Sequence, residues 1–198
     1  MERQSVEHSH EQEAGRDSAA EHVSEAERVS ETERNDAAVQ AVLTNPKVML
    51  VRAALAEHGY TDHIRVFSEA TRTAAQAAEA CGCSIGAIAN SLVFRCDNEP
   101  LLILTSGAHR VDVRYVQHQL GSGKLHRADA EFVLEQTGQV IGGVAPLGHS
   151  RAIRTILDTS LAQFPEIWAA AGHPNTVFRT SYADLLAYTG AMEMPVAP

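Results

Sequence analysis

The chain is poor in cysteine: three in 198 residues, Cys81, Cys83 and Cys96. That number is too small and too odd for a disulfide framework, so a reducing compartment is expected. No apolar run approaches the roughly 20 residues needed to span a bilayer. The amino terminus, MERQSVEHSHEQEAG, has neither the basic nor the apolar region of a signal peptide, and a cytoplasmic location is the expectation. Familiar catalytic signatures are missing as well. Cys81 and Cys83 are spaced CxC with no clustered histidine, which argues against zinc. Ser106 and Ser122 each precede a glycine outside any GxSxG, so no nucleophile elbow is supported. The GSGK of residues 121–124 lacks the spacing of a phosphate loop. No metal or other cofactor is called for, and there is no internal repeat.

The acidity is confined to one end. Residues 1–45 hold eleven acids against four arginines, which accounts for −7 of the net −9 and leaves the remainder nearly neutral. Residues 1–35 are rich in Glu, Ser, Ala, Arg and His and have no aromatics, the composition of a disordered tail. His8, His10 and His22 read there as solvated side chains rather than metal ligands. A single domain over 36–192 and a flexible end over 193–198 complete the expected organisation. A hydrophobic content of 44% is enough for one core and short for two.

Helix signals are explicit. Asn45 caps a helix with Pro46 at its first position, carried by Val48, Val51 and Leu55 and ended by Gly59. Thr73-Ala-Ala-Gln76 is a capping box for a short alanine-rich helix closed by Gly82. Val111–Leu120 and a segment capped by Asp129 and stopped by Gly138 read as two more. Ser181–Thr189 closes the series before Gly190. His63–Phe67, Arg151–Leu157, Ile167–Ala171 and Thr176–Arg179 read as extended. Ser91–Arg95 and Pro100–Thr105 form a hairpin about CDNE. Without a regular βαβ beat, the fold class is α+β with a mixed, largely antiparallel sheet.

Two segments carry possible chemistry. In TGQVIGGVAPLGHS, residues 137–150, Gly142 and Gly143 permit positive φ and close approach while Pro146 stiffens the turn. The result is either a tight turn between strands or a rigid loop of free amides able to hold a carbonyl oxygen. His149, just beyond, is either a general base or a surface histidine. Arg110, Arg114, Lys124 and Arg127, with His109, His118 and His126, form the densest basic stretch. They can hold a nucleic-acid backbone or decorate a solvated face.

Taken in order, TAAQAAEACG, NSLVF with PLLILTSG, HRVDVRYV, KLHRADAEFVLEQTG and GGVAPLG resemble the YbaK and prolyl-tRNA-synthetase-associated editing domain family, in a YbaK/EbsC-like branch, over about Pro46 to Gly190. The resemblance implies a curled mixed sheet flanked by helices and a pocket beside the Gly142–Pro146 loop. It also implies a trans-acting deacylase that hydrolyses the ester of a mischarged tRNA with water, assisted by the substrate, and without metal or covalent intermediate. Its partners would be aminoacyl-tRNA and, further, an aminoacyl-tRNA synthetase, but neither DNA nor membrane. The amides of Gly142, Gly143, Val144 and Ala145 would serve catalysis. Asn90, Ser106, Pro146, His149, His173 and Asn175 would bind substrate, and Arg110, Arg114, Lys124 and Arg127 the tRNA.

The chain departs from the family pattern at several positions. Many members have lysine where this sequence has Asn90, and an amide brings no charge. Ala170 stands in place of a serine, and Val177 near a position that is acidic in the YbaK branch. His173, Pro174 and Asn175 are similar to a His-Pro segment of the alanyl-tRNA-proline-editing branch, with shortened spacing. The alternative implied is a paralogue that keeps the pocket, has lost turnover and binds an aminoacyl or nucleotide group as a regulator.

Overall fold

The computed structural model describes residues 33–71, 73–121 and 123–198. These fall into two units, 33–40 and Ala41–Pro198. Of the expected tail, residues 1–32, including His8, His10 and His22, lie outside the described residues, while 33–43 are helical.

The larger unit follows its sequence signals. Helix α1 (Pro46–Glu57) starts where the Asn45 side chain accepts a hydrogen bond from the Lys47 amide, and buries Val48, Val51 and Leu55. Strand β1 (Arg65–Val66) precedes α2 (Ala74–Cys81), capped by Thr73 and stopped by Gly82 in the left-handed conformation. Strands β2 (Ile88–Cys96) and β3 (Glu99–Ser106) form the hairpin, with Asp97 and Asn98 both at positive φ in its two-residue turn. Then come α3 (Val113–Leu120), β4 (Leu125–Arg127), α4 (Ala130–Thr137), β5 (Arg154–Asp158), β6 (Ile167–Ala170), β7 (Thr176–Thr180), α5 (Tyr182–Thr189) and β8 (Met192–Met194).

The strands make one open sheet in the order β1-β7-β6-β2-β3-β5-β8, with β4 attached to β2. Pairs β2–β6, β3–β5 and β5–β8 are parallel; the other four are antiparallel. The protein is therefore α+β with a mixed, mainly antiparallel sheet, as its irregular element order requires. Alternation along each strand divides the core. Ala89, Val93, Leu102, Leu104, Leu157 and Phe178 face α1, α4, α5 and the Gly142 loop. On the opposite face, Phe94, Leu101, Ile103 and Ile156 meet Val116 of α3, and Ile88, Trp168 and Val177 meet α2.

Residues 193–198, expected as a flexible end, make specific contacts with the domain. Met192–Met194 pair with β5, the Asp112 amide donates to the Val196 carbonyl at 2.9 Å, and Val196 is buried. The exposed edge of β5 provides the hydrogen-bonding partners that order this short segment. Among the described residues no helix is long and apolar enough to cross a membrane.

Candidate active site

Strand β2 changes partner along one of its edges. Ile88 and Ala89 pair with β6, Phe94 to Cys96 pair with β4, and among the described residues Asn90–Leu92 have no strand beside them on that side. Backbone polar groups alternate sides along a strand. The Gly107 amide bonds the Ile88 carbonyl on the β3 side, and the Ala128 amide bonds the Val93 carbonyl on the β4 side. Alternation between these two points turns the Ser91 N–H and C=O toward the gap. A cleft of about 370 Å³ opens there. Ala74, Ala77, Ala89, Trp168, Ala169 and Val144 give it apolar walls; Thr71, Thr73, Asn90, Ser91, Arg127, Gly142 and Thr176 add polar groups.

The glycine-rich loop forms one wall, and its conformation is held from within. Buried Gln139 accepts from the Ala145 amide at 2.7 Å through Oε1 and donates to the Gly148 carbonyl at 3.3 Å through Nε2. The Gly143 amide donates to the Val140 carbonyl at 2.9 Å. Two of the four expected amides are thereby committed to the loop itself. Those of Gly142 and Val144 make no hydrogen bond among the described residues, and both residues line the cleft. Gly142 has φ +89°, whereas a Cβ on Gly143 would lie 2.7 Å from the His173 carbonyl carbon. The loop and the 173–174 turn therefore meet backbone to backbone.

Several residues expected to bind substrate make hydrogen bonds within the protein. His149 lies outside the cleft and donates from Nε2 to the Ala145 carbonyl at 2.8 Å, with burial pushing its pKa down despite that bond. Ser106 is buried, its hydroxyl donating to the Gly86 carbonyl at 2.8 Å. Asn175 exchanges hydrogen bonds with the Phe67 backbone and donates its own amide proton to His173 Nδ1. Burial, and then the charge of Lys47, hold the His173 pKa down. Pro146 is buried beside the loop. Each of these residues thus has a polar atom bonded within the protein or, for Pro146, a buried side chain.

Asn90 and Arg127 do line the cleft, whereas Arg110, Arg114 and Lys124 are exposed outside it. Sequence reasoning missed Ser91, whose Oγ is buried without a hydrogen-bond partner, although its position beside Asn90 pointed to it. The other cleft hydroxyls are engaged: Thr71 donates to the Pro174 carbonyl, Thr73 caps α2, and Thr176 donates to the His173 carbonyl. Among the described lining residues there is no Asp, Glu, His, Lys or Cys. What this cleft offers a ligand is hydrogen-bond donors and one guanidinium. The described residues also hold no cluster of three potential metal ligands. The three thiols are unpaired, with burial raising that of Cys81 to about 11.

Residues 68–188 match the aminoacyl-tRNA editing domain. The uncharacterized protein YwhH of Bacillus subtilis (strain 168) is 32% identical over 136 residues, spanning 68% of this chain and 86% of that protein. A proline--tRNA ligase of Lactobacillus helveticus (strain DPC 4571) is 26% identical over 97 residues, 49% of this chain but 17% of the ligase. A crystal structure described as a candidate trans-editing enzyme for prolyl tRNA synthetase superposes with a TM-score of 0.73 at 37% identity, covering 78% of this chain and 98% of that one. The sheet with its gap, the loop beside it and a family match over more than half of the sequence agree, and the chain belongs to the aminoacyl-tRNA editing domain family.

Proposed function

We propose that the protein is a trans-acting deacylase that hydrolyses the ester of a mischarged aminoacyl-tRNA. The observation carrying this reading is that Gly142 and Val144, whose amides make no hydrogen bond among the described residues, line the cleft beside the Ser91 edge of β2. An ester carbonyl oxygen placed against these amides gains donors where negative charge develops, and each such donor contributes on the order of 10²–10³ in rate. Water adds to the carbonyl carbon and the tetrahedral oxyanion is held by the amides. The ester C–O bond then breaks; a proton from the water passes, through the substrate's own hydroxyl, to the departing ribose oxygen. Free amino acid and uncharged tRNA result.

The protein's own contribution is positioning and charge stabilisation, in keeping with a described lining that has no side-chain general base. Asn90 orients the aminoacyl group by hydrogen bonding. Arg110, Arg114 and Lys124 contact the RNA backbone outside the cleft. A synthetase is a further partner in this reading, suggested by the similarity to proline--tRNA ligases. The second reading, a regulator that binds without turnover, is favoured by one observation: the exposed residue at the cleft's β2 edge is a neutral amide, Asn90.

The experiment is release of labelled amino acid from a panel of correctly and incorrectly charged tRNAs. Val144→Pro deletes a free amide, and Gly142→Ala, which meets no atom within 4 Å, checks the loop without crowding it. Release from one mischarged species, lost in folded Val144→Pro, is the expected result. Binding without release from any species would establish the regulator instead.

A further inference from the structure

We infer that Arg127 anchors the phosphate of the bound nucleotide, supplying the positive charge that Asn90 does not. This rests on the proposed substrate being an aminoacylated RNA terminus, and adds to it the residue that holds the terminal phosphate.

Three observations converge on Arg127. It is the one charged side chain among the described residues lining the cleft, so no described lining carboxylate offsets it. Its charge is also uncommitted, since it makes no hydrogen bond or ion pair among the described residues. Other arginines of the domain are engaged: Arg95 with Asp129 and the Phe132 ring, Arg151 with Glu99 and Gln136, Arg179 with Asp62 and Glu166.

The third observation is its place in the sheet. Arg127 is directly opposite Phe94 in the β2–β4 ladder, and cross-strand partners project from the same face. Alternation puts Leu92 and Asn90 on that face too. Asn90 and Arg127 therefore bracket the unpaired edge of β2, an interval of about 7 Å from Asn90 to Leu92 before β4 begins. A nucleotide whose ester lies at the Gly142 and Val144 amides extends across this edge and presents its phosphate to β4. A guanidinium suits that position because its fork of donors matches two phosphate oxygens at once.

The test uses the full chain and two stable ligands, an aminoacyl group amide-linked to the 3′ carbon of adenosine, with and without a 5′-phosphate. Calorimetry at several salt concentrations is run on the unaltered protein, Arg127→Gln, Arg127→Lys and the double variant Asn90→Lys/Arg127→Gln. Arg127 is exposed, and thermal melts check that each variant is folded. The expected result is that Arg127→Gln weakens the phosphorylated ligand by about tenfold to a hundredfold and leaves the other unchanged. The slope of log affinity on log salt should fall in magnitude by about one. Arg127→Lys should retain part of the affinity, and a lysine at position 90 should restore part of what Arg127→Gln loses.

Equal weakening of both ligands, or no added affinity from the phosphate, would overturn the assignment. If the phosphorylated ligand binds through Arg127 but no charged tRNA is hydrolysed, the deacylase reading falls and the anchor stands. If charged tRNA is hydrolysed with an unaltered KM in Arg127→Gln, the anchor falls and the deacylase reading stands. Failure of the unaltered protein to bind either ligand overturns the anchor, and release from charged tRNA still decides the deacylase reading.

Discussion

Gly142 and Gly143 are adjacent, yet they are glycine for different physical reasons. At Gly142 the constraint is conformational: φ is +89° and no atom lies within 4 Å of a built Cβ. At Gly143 it is steric, because a Cβ would lie 2.7 Å from the His173 carbonyl carbon and 2.9 Å from the Pro174 nitrogen. Gly143→Ala is accordingly expected to displace the 173–174 turn and cost about 1–3 kcal/mol, the usual range for forced repacking. Gly142→Ala pays only for its backbone conformation, about 1–2 kcal/mol. Denaturant midpoints of the two variants check the order. Gln139 is the third residue on which the loop depends. Gln139→Leu leaves the Ala145 amide and the Gly148 carbonyl without their partner, which should cost about 1–3 kcal/mol per buried group and release the loop. Faster hydrogen exchange confined to 139–149 would report that release.

At the scale of elements, the loop and the 173–176 turn each carry a histidine whose charged form burial disfavours. His149 donates to the Ala145 carbonyl, and His173 accepts through Nδ1 from the Asn175 amide. Burial lowers both pKa values, so the unfolded chain takes up protons more readily than the folded one as pH falls. The sign follows: their contribution is complete above the ordinary histidine value of 6.5 and is lost as pH drops through the lowered folded values. Thermal melts from pH 7.5 to 5 should show falling stability. His149→Gln keeps a donor for Ala145 and does not titrate, and should flatten part of the dependence. An identical slope in that variant would assign the effect elsewhere.

How much of each element is legible in the sequence depends on where its stabilisation comes from. The helix starts at Asn45, Thr73, Asp129 and Ser181 are legible because each cap bonds an amide two or three residues away. Strands β4 and β8 are not: LHR and MEM are too short for a period, and become strands because β2 and β5 offer free edges. The site divides in the same way. GGVAPLG announces a constrained loop, but which amides remain free depends on Gln139 and on the Val140 carbonyl, outside that motif. The gap along β2 is set by two strands that approach from distant parts of the chain, β4 and β6. Local sequence around Asn90 cannot specify it.

For the molecule as a whole, the family match over 68–188 is smaller than the cooperative unit that carries the cleft. Helix α1 lies before that match, yet Val48, Val51 and Leu55 are at most 1% exposed. Its backbone is also met closely by two turns. A Cβ on Gly148 would be 2.8 Å from the Val51 Cα, and one on Gly172 would be 2.7 Å from the Lys47 carbonyl oxygen. Both turns adjoin the loop contact at Gly143, so α1 holds from behind the wall that presents the amides. After the match, β8 pairs with β5, and Met194 and Val196 complete the cluster around Phe94 and Ile103. Burial of three aliphatic side chains on α1 contributes about 5–9 kcal/mol at roughly 1.5–3 kcal/mol each. That is comparable with the stability of an entire domain, about 5–15 kcal/mol. A chain cut back to residues 68–188 is therefore expected to lack a cooperative thermal transition. Removing only 192–198 should preserve the transition at a lower midpoint, because α1 remains while β8 and Val196 are lost. Circular dichroism melts of the two truncations beside the full chain measure both effects. A cooperative, full-chain-like melt of 68–188 would show that the wall behind the cleft stands without α1.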